Sequence, residues 1–239
     1  MRILAHLLRT DLIPEAWAPP QTTRELRDPV RLRWRFVSQR TTAKNRISNL
    51  LARECLRFAG SGMFGKSGRA WLATLDLAPH TRGMIDLLPV SIGEAGHHVE
   101  ALTARLHERL DGDADMYLLM SIPGVGFITA ATLVAELGDW RRFSRAKQVS
   151  ACFGIVPSVR ASASVAHYGH ITRQGSSHAR RALIEAAHVA KRLPGPVRHR
   201  YLSLVKRRGK KVAVVAAARV LLELSWTLLR KGEVYRAAA

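Results

Sequence analysis

Residues 153–181 read FGIVPSVRASASVAHYGHITRQGSSHARR. Glycines and a proline divide this stretch into turns, and the segment around Ser162 consists of small residues. Such a composition interrupts regular structure, so we expect at most short strands here, near Phe153 and around Ile171. The stretch ends in two adjacent arginines that begin a helix.

The charge of the chain is concentrated in the same half. The net charge is +20, but residues 1–139 contain 17 Lys and Arg against 15 Asp and Glu, a net of +2. Residues 140–239 contain 21 against 3, a net of +18. A one-sided cationic field attracts phosphate polymers, so nucleic acid is the favoured partner and a solvated basic surface is the alternative.

Cysteine usage and hydropathy bear on the compartment. Cys55 and Cys152 form neither a CxxC pair nor a disulfide framework, which is typical of a reducing cytoplasm. The most apolar run, Val212–Ala218, is too short to span a bilayer and is followed by Arg219. We therefore expect a cytoplasmic protein without a membrane partner.

Helical spacing dominates the rest of the chain, so the predicted fold class is mainly α. Apolar residues from Ile85 to Leu106 repeat at three-four spacing, which predicts a coiled-coil helix over 83–115. It can pair with another protomer or with the helix that ends near Phe58. We favour an antiparallel intramolecular hairpin that also contributes to dimerisation, as part of a homo-oligomer.

Gly60–Ser67 matches the spelling of a P-loop, GxxxxGKS. A P-loop requires a preceding strand and a following helix, so that backbone amides surround the phosphates. Residues 51–57 have a helical pattern instead, so we expect a flexible loop within a linker over 60–82. A P-loop nucleotide hydrolase remains a weaker functional alternative.

Residues 116–129 have the pattern of a helix-hairpin-helix element, with the turn Pro123-Gly124-Val125-Gly126 between two helices. Gly124 and Gly126 would allow the backbone to approach a DNA phosphate, and amides at the start of the second helix could bind it. The alternative is a plain turn between packed helices.

Ser162 is a candidate nucleophile for a phosphodiester, because a serine can hold a DNA end covalently and divide one difficult step into two. Ser158 and Ser164 compete equally on spacing. Positive charge must stabilise the oxyanion, and four arginines are candidates for phosphate clamps: Arg160, Arg173, Arg180 and Arg181. Three nearby histidines could titrate near neutral pH: His167, His170 and His178. No histidine or cysteine spacing indicates a metal site.

Several of these pieces occur in an order that resembles one protein family. They are IPGVG at 122–126, AELGD at 135–139, GIVP at 154–157, Ser162, GHITR at 169–173, Gly175 and HARR at 178–181. This set resembles the carboxyl-terminal transposase domain of the DEDD-type insertion-sequence transposases related to the Piv DNA invertases. The resemblance covers most of the chain.

The resemblance implies a DNA transposase or recombinase that acts with a structured guide RNA. It implies Mg²⁺ held by an acidic tetrad in an amino-terminal domain, and a catalytic serine that falls on Ser162. Two departures are Ala163, where the family usually has glycine, and Arg173, where it usually has lysine. No residue of this chain matches the tetrad, so we expect a truncated copy that is not competent alone.

The resulting division of the chain has four parts. Residues 1–59 are a remnant of the RNase-H-like acidic domain with a long helix, 60–82 a linker, 83–115 the coiled-coil helix, and 116–239 the serine-bearing transposase domain. The rival to a transposase is a non-catalytic nucleic-acid-binding module, which could associate with a full-length transposase.

Overall fold

The structure, a computed structural model, describes the backbone of residues 2–12, 17–162 and 165–236, and the side chains of these residues except 2, 160–162, 165 and 166. In these ranges the chain forms nine α-helices, one 3-10 turn and one two-stranded antiparallel sheet. The predicted fold class, mainly α with short strands, is confirmed. In chain order the elements are α1 (Arg2–Arg9), α2 (Gln21–Arg53), α3 (Lys66–Thr74), α4 (Pro79–Leu110), α5 (Ala114–Met120), α6 (Phe127–Leu137), the 3-10 turn (Trp140–Arg142), α7 (Ala146–Cys152), β1 (Pro157–Ser162), β2 (Val165–Ile171), α8 (Ser177–Ala190) and α9 (Pro196–Lys231).

Helices α2 and α4 form an antiparallel hairpin. Arg109, near the end of α4, lies 3.4 Å from Glu25, near the start of α2. At the other end, the Thr81 hydroxyl donates to the Glu54 carboxylate at 3.0 Å. The favoured intramolecular pairing is therefore present, and the apolar seam of α4 faces α2. Coiled-coil geometry and a contribution to dimerisation stay predictions.

The outer end of this hairpin has a small core of its own. Leu72 of α3 packs there with Ile47, Leu51 and Ile85. The predicted linker over 60–82 therefore contains a helix with a buried residue. The P-loop-like segment follows helix α2 rather than a strand, so the geometry that a phosphate-binding P-loop requires does not occur around it.

The main core lies among α5, α6, α8 and α9 and the first half of α2. Its largest members include Leu119, Leu133, Leu183 and Leu222, each less than 2% exposed. Polar bonds align the helices around it: the Trp226 indole donates to the Trp140 carbonyl at 3.2 Å. Both ends of the segment 153–181 pack into this core, through Phe153 and Ile155 at one end and Ala179 at the other.

One helix within the described residues, α9, is long and apolar enough to cross a membrane by length and composition. However, 56% of its apolar window is buried inside the fold. Its backbone is also interrupted at Gly209. These features are those of a core helix.

Candidate nucleic-acid interface

Ser162 lies in the antiparallel hairpin formed by β1 and β2. It is the last residue of β1 and pairs with Val165, the first residue of β2. Val159 and Tyr168, opposite each other in the register, are 55% and 72% exposed. Because a strand rises about 3.4 Å per residue, Ser162 lies about 17 Å along β1 from Pro157. The hairpin thus carries Ser162 at the end furthest from its base.

The base of the hairpin is held by backbone contacts. The Thr172 amide donates to Val156 at 2.9 Å, and the Arg173 amide donates to Gly154 at 3.1 Å. Gly154 has a φ of +61°, and a Cβ there would lie 2.2 Å from the Gln174 carbonyl oxygen. Both the conformation and the close approach require glycine at this position.

Arg180 joins α8 to this base. Its Nη1 donates to the carbonyls of Phe153, Gln174 and Gly175 at 3.0, 2.8 and 3.2 Å. Burial lowers the pKa of the Arg180 guanidinium, and the charge of Arg173 lowers it further. Arg180 therefore positions these turns through its Nη1 nitrogen, and its expected role as a phosphate clamp stays a prediction.

A buried carboxylate ties α2 to α6. Glu136 is 6% exposed, and both of its oxygens accept hydrogen bonds from Arg31 at 2.8 Å. Arg27 donates to the carbonyls of Ala135 and Glu136 at 2.7 and 2.9 Å. Burial raises the pKa of Glu136, but the hydrogen bonds and charge of Arg31 outweigh it, so the pKa lies below its ordinary value. Glu136 is the only charged residue in α6. A single carboxylate in an otherwise apolar helix was the feature of the sequence that could have indicated a buried ion pair.

Arginines from distant parts of the chain meet beside this pair. Two adjoining depressions of about 550 and 560 Å³ share Arg31, Ser177 and His178. Arg35 and Arg181 line the second depression. We call the two depressions together the arginine cleft. It lies where α2 meets the first turn of α8.

The charges of the cleft differ in how far they are neutralised. Arg181 pairs with Glu185 at 3.7 Å on the surface and lies over the ring of Trp34 at 5.4 Å. Arg35 is exposed and has no ion pair with any residue that the structure describes. Burial lowers the pKa of His178, partly opposed by Glu136, and the nearby arginines lower it further. The cleft therefore presents guanidinium groups beside a histidine that is neutral at pH 7.

Aromatic rings line the other end of the cleft. The Arg142 guanidinium lies 3.9 Å from the centre of the Trp17 ring and 4.1 Å from that of Phe143. Its Nε is buried and has no hydrogen-bond partner among the described residues. Trp17 also lies under Arg27 at 5.5 Å. This end is therefore a stacked arrangement of rings and guanidinium groups rather than an open basic surface.

The other predicted site residues have different positions. A Cβ at Gly124 would lie 2.8 Å from the Ala186 carbonyl oxygen, so this glycine permits close packing against α8. Gly126 precedes α6 and has open space around it. Arg173 is exposed at a φ of +57°. Binding of DNA by the turn between α5 and α6 stays a prediction.

Two of the predicted site residues, Arg160 and Ser162, lie in β1 of the hairpin. Arg160 pairs with His167 in the hairpin, but the side chains of Arg160 and Ser162 are not described. Of the competing serines, Ser164 lies outside the described residues, as does the departure at Ala163. Ser158 lies against Gly169: a Cβ at that glycine would be 2.6 Å from the Ser158 hydroxyl.

The resemblance implies Mg²⁺, which is held in proteins by carboxylate oxygens. Among the described residues no group of three or more His, Cys, Asp or Glu could hold a metal ion. The buried carboxylate of Glu136 has both oxygens engaged by Arg31. The described residues therefore do not fit paired Mg²⁺ ions, and no chemical step is assigned to a metal here.

Comparisons with known proteins match this region. A sequence model described as "Transposase IS116/IS110/IS902 family" matches residues 116–203. The chain is 29% identical over 220 residues to the transposase for insertion sequence element IS1111A of Coxiella burnetii, covering 88% of this chain and 60% of the relative. It is 30% identical over 226 residues to a probable family 20 transposase of Pseudomonas aeruginosa, covering 86% of this chain and 63% of that protein.

A recombinase is similar to part of the chain. The pilin gene-inverting protein of Moraxella bovis is 27% identical over 121 residues, covering 49% of this chain and 38% of the relative. The chain spans about 60% of the length of the two transposases. The motifs in 122–181 and these matches agree, and the chain belongs to the IS116/IS110/IS902 family of transposases.

Proposed function

We propose that this chain binds DNA through the arginine cleft and presents Ser162 as the nucleophile of a strand-transfer reaction. The observation that carries the proposal is the convergence of Arg31, Arg35 and Arg181 beside the anchored base of an exposed hairpin. Backbone phosphates require such guanidinium groups, and a reacting serine requires an accessible position. Family membership makes DNA the expected ligand.

The proposed step is a transesterification. The Ser162 Oγ bonds to phosphorus, the P–O bond to one sugar breaks, and the hydroxyl proton ends on the released sugar oxygen. His167, two register positions from Ser162, is the candidate for carrying that proton. The product is a serine–DNA ester, which stores the energy of the phosphodiester for rejoining.

The partners follow from the resemblance and are part of the proposal. A full-length transposase would supply the acidic residues and the Mg²⁺ that the described residues do not fit. A structured guide RNA would select the DNA target. The chain then acts as the serine-bearing and DNA-binding portion of a mixed oligomer.

The test is capture of the covalent intermediate. The chain is incubated in Mg²⁺ with labelled junction DNA of its element, the guide RNA of that element and a full-length family member whose own serine is replaced by alanine. We expect an adduct that survives denaturation and migrates with this chain. Ser162→Ala should abolish the adduct, and Ser158→Ala in the same strand should retain it. An adduct that persists in Ser162→Ala would reject the serine assignment.

A second candidate is a non-catalytic DNA-binding module that competes with the intact enzyme. The lack of a carboxylate cluster among the described residues favours it. It predicts DNA binding with a steep salt dependence and no adduct under any of these conditions. The same experiment therefore separates the two functions.

A further inference from the structure

The long helix α9 consists of two helical segments that fold back on each other. Gly209 interrupts it with φ 78° and ψ 165°. A straight helix of 36 residues would be about 54 Å long. However, Tyr235, just after the helix, approaches its beginning so closely that a Cβ at Gly195 would lie 2.7 Å from the Tyr235 hydroxyl. Segments 196–208 and 210–231 must therefore form a helical hairpin with Gly209 at its tip.

The tip is densely cationic. Its residues 206–211 read KRRGKK, and all five cations are exposed. None of the five has an ion pair with any residue in the described ranges. No acidic residue occurs between Glu185 and Glu223. We call residues 206–211 the cationic tip.

Helix stability does not account for these charges. Basic residues are favourable at the end of the first segment, where the helix dipole is negative. Lys210 and Lys211 instead begin the second segment, where the dipole is positive and acidic residues are favoured. Five like charges also repel one another. The charges of the tip therefore destabilise the free protein, and a bound polyanion would neutralise them.

The cationic tip is distinct from the arginine cleft. None of its residues lines either depression of the cleft. It also lies beyond the part of the chain that the family model matches, which ends at residue 203. The charges of the tip are therefore not explained by the cleft or by the matched residues.

The composition of the tip indicates which polyanion fits. Single-stranded nucleic acids bind to aromatic side chains on which the bases stack, and residues 206–211 contain no aromatic residue. The aromatic residue nearest in sequence, Tyr201, is half-buried, and the Lys191 ammonium lies 4.6 Å from the centre of its ring. Insertion into a membrane surface requires apolar residues, and the tip contains none. Long flexible cations on a narrow projection suit the phosphates that flank a groove of duplex DNA.

We propose that the cationic tip is a second binding surface for the backbone of duplex DNA, used together with the arginine cleft. This inference rests on the proposed function for its ligand. Two surfaces on one protein would hold two stretches of a duplex, or two duplexes, at a fixed separation. The contacts are to phosphates, so the tip contributes affinity and orientation rather than sequence recognition.

The test is the salt dependence of DNA binding by the full chain. Binding of a labelled duplex of about 30 base pairs is measured by anisotropy between about 50 and 200 mM salt. The tip variant is Lys206→Gln, Lys210→Gln and Lys211→Gln together. A matched control removes three exposed charges elsewhere: Arg53→Gln, Arg57→Gln and Arg69→Gln.

We expect the slope of log affinity against log salt to fall by about 2 to 3 in the tip variant, since each lost phosphate contact removes about 0.9. The control variant should keep the wild-type slope. Thermal unfolding of the tip variant should occur at the wild-type temperature or above it, because repulsion is removed. This result excludes misfolding as the cause of weaker binding.

Equal slopes for the tip variant and the control would overturn the inference. Loss of binding to a single strand or to anionic vesicles, with duplex binding unchanged, would overturn it as well. The cleft variant Arg35→Gln with Arg181→Gln separates the two proposals. If only the cleft variant weakens binding, the tip inference fails and the proposed function stands; if neither variant does, both fail.

Discussion

Glu136 is the carboxylate that holds Arg31 in the wall of the arginine cleft. Replacing it with glutamine keeps its shape but removes the charge that Arg31 binds through two hydrogen bonds. Because Arg31 is partly exposed, the expected loss of unfolding free energy at neutral pH is about 1–2 kcal/mol, at the lower end for charged hydrogen bonds. Chemical denaturation followed by circular dichroism measures it.

The pH dependence of this loss has a defined sign. The pKa of Glu136 in the folded protein lies below its ordinary value of 4.5. Its ionised form therefore stabilises the fold above that value, and the contribution is lost as the pH falls through the folded pKa. The difference between wild type and Glu136→Gln should shrink in acid. Glu185→Gln, which removes only the exposed pair with Arg181, should change stability little at any pH.

Sequence reasoning at the residue scale succeeded where neighbours in the chain are neighbours in space. It identified a basic helix start at Arg180 and Arg181, but it did not reveal that Arg180 also holds backbone turns. The three carbonyls that Arg180 contacts belong to backbone turns whose shape no local pattern specifies. Likewise, Arg31 and Glu136 are 105 positions apart, so their pairing depends on the packing of α2 against α6.

The β1–β2 hairpin is the element that the proposed chemistry requires to be held in position. Arg180→Lys preserves the charge, but its shorter side chain ends one atom before the position of the Nη1 nitrogen that donates to three carbonyls. We expect faster hydrogen exchange at the amides of Thr172 and Arg173, which close the base of the hairpin. Exchange in the buried helix α6 should stay unchanged.

Arg181→Lys is the matched control for that experiment. Its side chain lines the cleft and forms no hydrogen bond with the described residues of the hairpin base. It should leave the two amides protected. Equal protection of Thr172 in Arg180→Lys and in the wild type would mean that the backbone contacts of Gly154 hold the hairpin without the guanidinium.

At the scale of elements, apolar spacing predicted the long helices and their antiparallel pairing, because one face of each is buried along its whole length. The first segment of α9, residues 196–208, and its interruption at Gly209 were not predicted, since a densely basic stretch has little apolar spacing to indicate a helix. The helix α3 was also missed: its short apolar pattern was interpreted as part of a linker. Its stability comes from packing Leu72 against α2 and α4, which is tertiary information.

The whole molecule contains two cores of unequal size, and this division has a consequence for its dynamics. The main core joins α5–α9 to the first half of α2 and the last turns of α4, whereas the small core at the outer end contains only four buried residues, Ile47, Leu51, Leu72 and Ile85. Fewer buried contacts imply a lower free energy of local opening. The outer end should therefore open without unfolding of the region that carries the arginine cleft.

A pair of core truncations tests this division. Ile47 and Leu183 are both fully buried, so alanine at either position should cost about 2–5 kcal/mol locally. In native-state hydrogen exchange, Ile47→Ala should lower protection in α3 and the adjoining parts of α2 and α4, while α6 and α8 keep theirs. Leu183→Ala should lower protection in α5, α6, α8 and α9, which share its core, and should leave α3 at its wild-type protection. A uniform loss in Ile47→Ala would mean that the 33-residue helix α2 couples the two cores into one cooperative unit. Because the arginine cleft is built on the main core, Ile47→Ala should also leave duplex binding unchanged.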